Sequence, residues 1–476
     1  LSSFEYVKNQ PKQMTHLPKA TNSILNTIGN TPLVELVHTD TGLCRLFVKM
    51  ENQNPGGSIK DRIGMSMIEA AEMRGDLKPG DTIIEATAGN TGIGLTLVGK
   101  LKGYKVKLVI PDKMSQEKIN HLKAMGAEII LTRSDVGKGH PEYYQDVAER
   151  ISRETGAYYI NQFSNPDNPL AHENTTAPEI WEQMEHNMDA IVLGVGSSGT
   201  VAGMSAFFKT VSPTPEIILA DPEGSILADY INDGNLRTDA GSWLVEGIGE
   251  DFIPSISDFS LVKKAYTVSD KESFEAVRDL LQNEGILAGS STGTLLSAAI
   301  RYCKEQTTPK RVVTLICDSG NKYLSKMFND FWLMDKGILK TEKFGDLRDF
   351  ATRLSAKKGI ETAKPEETLD KVYGRMKLYD FSQIPVIDQD NKVVGMIDES
   401  DLLDAIFSKK LPVNTSVAEI MSKQIISLAY NDNQEKMVEM LNNGYLAIIT
   451  DENEQLYGVV TKIDVLTRLF NQAKES

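Results

Sequence analysis

Residues 81–111 read DTIIEATAGNTGIGLTLVGKLKGYKVKLVIP, and they decide the fold class. A β-rich run, DTIIEAT, meets the small glycine loop AGNTG. A segment of helical apolar spacing, IGLTLVGKLKG, then ends at a glycine and is followed by a second β-rich run, YKVKLVIP. Strand, loop, helix and strand in that order form a βαβ unit with parallel strands. The loop opens a helix, so its backbone N–H groups and the positive helix end face any bound anion, and a carboxylate or phosphate suits it.

The alternation continues outward. A helix is expected over about 115–125, then strand AEIILT, a helix over about 141–154 and strand AYYI. A helix from about Thr176 precedes strand DAIVLGV, the loop GSSGT, another helix and strand EIILAD. Ser269 and Glu272 are spaced as a capping box ahead of an amphipathic helix reaching Asn283. ILAGSSTG, a helix and RVVTLICDSG complete the pattern. Over about residues 25–330 this predicts a parallel α/β architecture with ligands at the carboxyl ends of the strands.

Upstream, residues 55–62 read PGGSIKDR. Two glycines let backbone come close to a bound group, Ser58 can cap, and Lys60 falls at a helix start. The positive end of the helix disfavours its charge and leaves a neutral amine able to attack a carbonyl. The plain alternative is a solvated loop lysine, and the glycine loops weigh against it. Besides AGNTG, the loop at 194–200, GVGSSGT, adds the hydroxyls of Ser197, Ser198 and Thr200 to a phosphate cradle. The loop at 289–293 puts Ser290, Ser291 and Thr292 at a helix start. GVGSSGT also satisfies G-x-G-x-x-G, and Asp221 ends the next strand where a dinucleotide fold holds a ribose. That oxidoreductase reading would leave Lys60 and AGNTG without a role, and its fingerprint would come after five predicted strands instead of opening the domain.

The chain has 476 residues, 41% hydrophobic and 25% charged, enough for two or three globular domains. A net charge of -15 speaks against nucleic acid and anionic membrane as partners. Cys44, Cys303 and Cys317 form no CxxC, which suits free thiols in a reducing, cytoplasmic setting. No apolar run approaches the ~20 residues of a membrane helix, and the first residues lack a signal-peptide core. The six histidines lack metal spacing; structural roles are expected for His121 and His172, and no metal site.

After Phe331 the chain turns charged, as in a partly helical linker. FSQIPVIDQDNKVVGMIDESDLLDAI at 381–406 then matches GYLAIITDENEQLYGVVTKIDVLTRL at 444–469 in polar and apolar pattern. Each copy reads strand, acidic turn, strand, helix, and such twins pack together. A ligand-free dimerisation or spacer module is the alternative. The expected division is an arm at 1–22, a catalytic domain at 23–335, a linker at 336–358, and a tandem module at 359–470 with repeats at about 359–410 and 415–470.

PGGSIKDR, EATAGNTG, GVGSSGT, DPEGS, VEGIGEDFIP and AGSSTG, in this order, resemble the pyridoxal-phosphate enzymes of the tryptophan-synthase-β type (fold type II), and among them the cystathionine β-synthase family. NPLAHENTT, DFWLMDKG and the duplicated module extend the resemblance over about residues 22–470. It implies a two-lobed α/β catalytic domain followed by an α+β tandem CBS-domain (Bateman) module, in a homodimer. It implies that Lys60 carries pyridoxal 5′-phosphate as a Schiff base, that Asn90 bonds the ring 3′-oxygen, and that Ser291 meets the ring nitrogen. Gly196, Ser197, Ser198, Gly199 and Thr200 hold the phosphate. Thr87, Ala88, Gly89, Asn90 and Thr91 with Gln162 receive the substrate carboxylate, beside Phe163, Gly247 and Glu250.

The implied reaction is a β-replacement joining L-serine and L-homocysteine into cystathionine and water, with H2S production from cysteine as a further capacity and O-acetylserine as the rival donor. Three residues depart from the family pattern: Ala88 lacks a hydroxyl, Phe163 lacks a phenol, and Glu250 replaces one. Glu250 either engages the second substrate's amine or faces water at the rim. Haem-containing members use a cysteine and a histidine in an N-terminal extension; the arm offers His16 but no cysteine, so no haem is expected. The repeat resembles paired adenosine-ligand domains. Thr461 and Asp464 would bond a ribose and Phe381 would stack on adenine, although Ser382 replaces an expected aspartate. Asp398 beside Asp401 repels phosphates, which favours S-adenosylmethionine over ATP.

Overall fold

A computed structural model of the chain describes residues 20–475 apart from 88, 113, 115, 134, 137, 138, 238, 341, 342, 352 and 355–359. Ala88 and His16 therefore lie outside the described residues. The chain forms two compact units, Leu1–Phe328 and Asn329–Ser476.

In the first unit, β1 (Leu33–Glu35) and β2 (Arg45–Lys49) pair antiparallel, and α1 (Lys60–Arg74) leads away from them. A four-stranded parallel sheet follows, built from β3 (Thr82–Ala86), β4 (Lys105–Pro111), β5 (Glu128–Thr132) and β6 (Tyr158–Tyr159) in the order β5-β4-β3-β6. Its connecting helices are α2 (Asn90–Leu101), α3 (Gln116–Ala124) and α4 (Tyr144–Thr155). The chain crosses through α5 (Asp167–Ala171), a π turn at His172–Thr176 and α6 (Ala177–Gln183). It then builds β7 (Ala190–Gly194), α7 (Gly199–Phe208), β8 (Glu216–Pro222), α8 (Leu227–Asp233), β9 (Val262–Val268), α9 (Asp270–Glu284), α10 (Ser290–Lys304) and β10 (Arg311–Leu315). The larger sheet runs β1-β2-β10-β7-β8-β9, antiparallel only at β1. Its central strand β7 is apolar throughout, as suits a strand covered on both faces: Ala190, Ile191, Val192 and Leu193 are fully buried.

Helices fall close to their expected positions, and the Ser269–Glu272 capping box forms in full at the start of α9. The helix expected from about Thr176 instead continues turns that begin at Asp167. Pro169 and Pro178 hid that start, because proline is tolerated in a first turn but reads as a breaker elsewhere. The sequence pattern also passed over β9, an edge strand whose residues VKKAYTV bury one face only in part. Helices α1 and α2 cross where Gly64 meets Gly94: a Cβ on Gly64 would lie 2.8 Å from the Gly94 carbonyl carbon.

The second unit begins with α11 (Asp330–Asp335) and β11 (Arg353–Leu354). Its first repeat holds α12 (Leu369–Tyr379), the hairpin β12 (Gln383–Ile387) and β13 (Val393–Asp398), and α13 (Glu399–Leu403). The second holds β14 (Ser427–Ala429), α14 (Gln434–Asn442), the hairpin β15 (Ala447–Thr450) and β16 (Leu456–Val460), and α15 (Lys462–Glu475). The twins meet through Ile387, Ile448, Leu456 and Val459. Part of the stretch expected as a linker belongs to the second repeat's core: Leu347, Phe350 and Ala351 pack with Leu428, Met437 and Val460, and β11 pairs with β16. Charge around Leu347 and Phe350 masked this apolar pair, which one helical turn places on one face.

Candidate active site

The loop before α1 is bound to the segment after β10. Ile59 N–H donates to Cys317 O at 2.9 Å and Ser319 N–H to Gly57 O at 3.1 Å. Gly57 takes φ +76, a conformation that favours glycine. Gly56 N–H donates to Asp61 Oδ2 at 2.5 Å, and Ser58 Oγ accepts from Lys60 N–H at 3.2 Å one residue ahead of the N-cap position, which is Ile59 and not the Ser58 expected. Lys60 thus enters α1 on a fixed backbone. Burial lowers the pKa of its ammonium, opposed by the nearby Cys317, Asp318 and Glu250.

The three glycine loops each start a helix. At α2, Gly89 N–H donates to Thr87 Oγ1 at 3.1 Å, and Thr91 Oγ1 donates to Gln162 Oε1 at 2.7 Å, joining two expected carboxylate-binding residues from separate strands' ends. Asn90 Nδ2 donates to Asp318 Oδ2 at 2.7 Å. At α7, Ser198 sits left-handed (φ 70), and its buried Oγ has no partner. Ser197 Oγ accepts from Asn168 Nδ2 at 2.9 Å, and Thr200 Oγ1 pairs with His172 Nε2 at 3.3 Å. A Cβ on Gly196 would lie 2.6 Å from Gly247 O, and one on Gly199 would collide with the Asn168 amide, so the cradle requires glycine at both positions. At α10, Ser291 is buried beside Cys317, whose thiol burial pushes up to about 12. A buried amine whose pKa is lowered, an unpartnered hydroxyl at a helix start and further buried hydroxyls suit a ligand carrying an aldehyde, a phosphate and a ring nitrogen.

Glu250 is fixed by its backbone: its N–H donates to Ser225 Oγ at 3.1 Å, and its carbonyl accepts from Ile226 N–H at 3.1 Å. Burial, and then Asp251 and Asp221, push its carboxyl well above the usual range, while Lys60 opposes them. Glu250 as a residue is half-buried. Phe163 packs on Phe252 with ring centroids 5.6 Å apart. Asp221, the ribose acid of the dinucleotide alternative, is buried and accepts from Ala228 N–H at 2.8 Å, serving the start of α8.

Several residues here escaped the sequence reading. Asn168 donates to both Gln162 O and Ser197 Oγ, linking the carboxylate and phosphate regions. His172 has the structural partner expected of it, Thr176, but also reaches the cradle through Thr200. Burial, then Lys60 and Arg62, hold its ring neutral. Tyr323 OH donates to Asp318 Oδ2 at 2.7 Å, and Lys118, ion-paired with Glu246, donates to Tyr323 OH at 3.2 Å. The motif NPLAHENTT pointed at Asn168 and His172 without a role, and the glycine turn in CDSGNKY was the signal for the rest.

In the second unit, Phe381 stacks on Tyr379 and packs against the first repeat's core. Thr461 Oγ1 and N–H both donate to Asp464 Oδ2, and Asp464 N–H returns to Thr461 Oγ1, a box that caps α15. Asp398 and Asp401 form the same box on α13.

Two family models match the chain: pyridoxal-phosphate dependent enzyme over residues 24–318, and CBS domain over 349–408 and 417–471. It is 38% identical to cystathionine beta-synthase of Dictyostelium discoideum, covering 96% of this chain and 93% of that protein. It is 36% identical to that of Saccharomyces cerevisiae, over 94% and 98% of the two chains. A solved O-acetylserine dependent cystathionine beta-synthase from Helicobacter pylori is 35% identical, with TM-score 0.60 over 65% of this chain and 98% of that one. A hydrogen sulfide-producing enzyme from Fusobacterium nucleatum is 38% identical, with TM-score 0.60 over 64% and 100%. With its fold-type II catalytic unit and its CBS pair, the chain belongs to the cystathionine beta-synthase family of pyridoxal-phosphate dependent enzymes.

Proposed function

We propose that this enzyme condenses L-serine with L-homocysteine to L-cystathionine and water, the β-replacement of transsulfuration and cysteine biosynthesis. The observation that carries the reading is Lys60, a first-turn lysine whose pKa burial lowers, within electrostatic reach of Asp318, Glu250 and His172. Pyridoxal 5′-phosphate, when bound, supplies an electrophilic carbonyl and an electron sink for the amino acid's α-carbon. Lys60 would hold it, with Gly196, Ser197, Ser198, Gly199 and Thr200 at the phosphate, Asn90 at the ring oxygen and Ser291 at the ring nitrogen. A serine hydroxyl is too weak an acid to keep that nitrogen protonated, which restrains electron withdrawal and favours prompt loss of a β-substituent.

Backbone N–H groups of residues 87–91, with Gln162, would take the serine carboxylate beside Phe163 and Gly247. Lys60 Nζ takes the proton from serine Cα and gives it to the β-hydroxyl, which leaves as water. The homocysteine thiol would then give its proton to Lys60 Nζ as its sulfur bonds to Cβ, and Lys60 Nζ would return that proton to Cα. Glu250 would take the homocysteine ammonium, a charge-assisted bond worth about 1.5–3 kcal/mol. Glu250→Gln should therefore raise the KM for homocysteine roughly tenfold and leave that for serine nearly unchanged, as steady-state kinetics with each substrate varied will measure.

We further read the protein as a haem-free, cytoplasmic homodimer whose CBS pair takes an adenosine ligand such as S-adenosylmethionine through Phe381, Thr461 and Asp464. The likeness to the O-acetylserine dependent Helicobacter enzyme favours a second reading in which O-acetylserine is the donor, and the Fusobacterium likeness favours H2S production from cysteine. A product assay pairing serine or O-acetylserine with homocysteine or sulfide, with and without S-adenosylmethionine, separates these. Cystathionine from serine and homocysteine is expected. Turnover of O-acetylserine alone would move the activity to the second reading, and no turnover in a colourless protein would remove Lys60's role.

A further inference from the structure

Lys322 is a buried lysine at the end of the short turn Gly320–Lys322 that follows β10, 8% exposed. Its Nζ donates to Asn90 Oδ1 at 2.8 Å, to Gly57 O at 3.2 Å and to Gly56 O at 3.3 Å. An ammonium has three N–H bonds, and these three acceptors use them all. Two of the acceptors belong to the loop that delivers Lys60, and the third is the side chain at the start of α2. Lys322 therefore ties the lysine loop to Asn90; burial lowers the pKa of its ammonium, as does Lys118, while Asp318 and Asp61 oppose them and favour the charge.

An amide offers one oxygen and one NH2 group. With Oδ1 held by a cation, turning the amide over would set NH2 against NH3+, so Nδ2 must point the other way. In that direction it donates to Asp318 Oδ2 at 2.7 Å, and Asp318 in turn accepts from Tyr323 OH. Burying a cation costs several kcal/mol unless its partners repay it, and loop carbonyls alone could be tethered by a neutral donor. A cation at Oδ1 does something a neutral group cannot: it polarises the amide and strengthens the opposite N–H as a donor.

We propose that Lys322 is a positioning residue for the cofactor: it locks the Asn90 amide so that the Nδ2 hydrogen not given to Asp318 is left for the cofactor's ring oxygen, and it holds a positive charge on the other side of that amide, two hydrogen bonds from the oxygen. This rests on the assignment of Asn90 to the ring oxygen made above. The charge disfavours the protonated form of the lysine-linked cofactor, so removing it raises the pH at which the visible band titrates.

The test is a spectroscopic pH titration of the holoenzyme as wild type, Lys322→Gln, Lys322→Arg, Asn90→Ala, and the double variant of Lys322→Gln with Asn90→Ala. Lys322→Gln is expected to shift the midpoint upward by about one pH unit, Lys322→Arg to restore most of it, and the double variant to match Asn90→Ala alone. A midpoint in Lys322→Gln equal to wild type, in protein whose thermal unfolding is unchanged, overturns the proposal. So does full additivity in the double variant. Should Lys322→Gln not fold, Asn90→Ala decides with Lys322 intact: an unmoved midpoint there overturns the relay. A wild-type protein with no visible band overturns the cofactor assignment itself, a distinct outcome.

Discussion

Replacing Gly94 with alanine should impair catalysis far more than folding. Gly94 lies inside α2 where that helix crosses α1, and a Cβ there would stand 2.6 Å from Lys60 O, 2.9 Å from Lys60 C and 3.1 Å from Asp61 Cα. All three atoms are backbone, so no side chain can swing aside. Restoring carbon contacts of about 3.5–4 Å requires the helices to part by roughly 1 Å. Overpacking of this kind costs about 1–3 kcal/mol, and alanine's better helix propensity returns about 1 kcal/mol. The net loss of stability is thus at most about 2 kcal/mol. The displacement, however, is applied to the carbonyl of Lys60 itself, and a misplacement near 1 Å at a reacting group costs about 100-fold. Cystathionine formation at saturating substrates, read beside urea unfolding, measures both quantities. A kcat within threefold of wild type would refute the reasoning, as would an activity loss that merely follows the fraction unfolded.

Three other perturbations test separate parts of the molecule. Arg62 is buried between Glu51, at 2.7 Å, and Glu179, also at 2.7 Å, so Arg62→Met should cost about 3–5 kcal/mol in urea unfolding by stranding Glu51, with part recovered by adding Glu51→Gln. Glu85 is fully buried, neither carboxyl oxygen has a partner, and burial raises it to about 8. Its folded pKa is raised, so its contribution is full below about pH 4 and is lost as pH rises through about 8; Glu85→Gln should flatten this loss in unfolding measured from pH 5 to 9. Thr461→Ala should remove about 1 kcal/mol of cap from α15, seen as faster hydrogen exchange there, and should weaken S-adenosylmethionine about tenfold by calorimetry, whereas Thr461→Ser keeps both.

The sequence was most informative where a motif is a local device. The βαβ run at 81–111 announces its architecture because strand composition, glycine loop and helix end sit within thirty or so residues, and the Ser269–Glu272 box forms as its spacing requires. Lys60, Asn90, Thr91 and Gln162 were visible as residues, but only the fold brings Thr91 to Gln162, seventy-one positions apart. The tethering of Asn90 by Lys322 was out of reach, because 232 residues separate the partners and a lysine in a polar loop looks solvated. Gly94 likewise reads as a weak point in a helix until the backbone it faces is known. In the C-terminal half, charge around Leu347 and Phe350 hid residues that complete the second repeat's core.

The phosphate cradle proposed at GVGSSGT contains no cationic side chain, and electrostatics explains how a chain of net charge -15 would hold a phosphate there. Helix α7 presents its positive end through a left-handed Ser198, and fixed dipoles of this kind need no counter-charge of their own. A lysine or arginine in the cradle would add a mobile charge and would further depress the ammonium of Lys60. His172, an ionisable ring beside the cradle, has its pKa held well below the ordinary value by burial, so it too adds no charge there. On the proposal made above, a positive charge stands instead at Lys322, bonded to Asn90, where it would act on a ring oxygen without competing for the phosphate. On this reading dipoles would serve the phosphate and the buried Lys322 would serve the ring. Such a division would leave the nitrogen of Lys60 free to move between holding the cofactor and moving the substrate's proton, the two roles proposed for it.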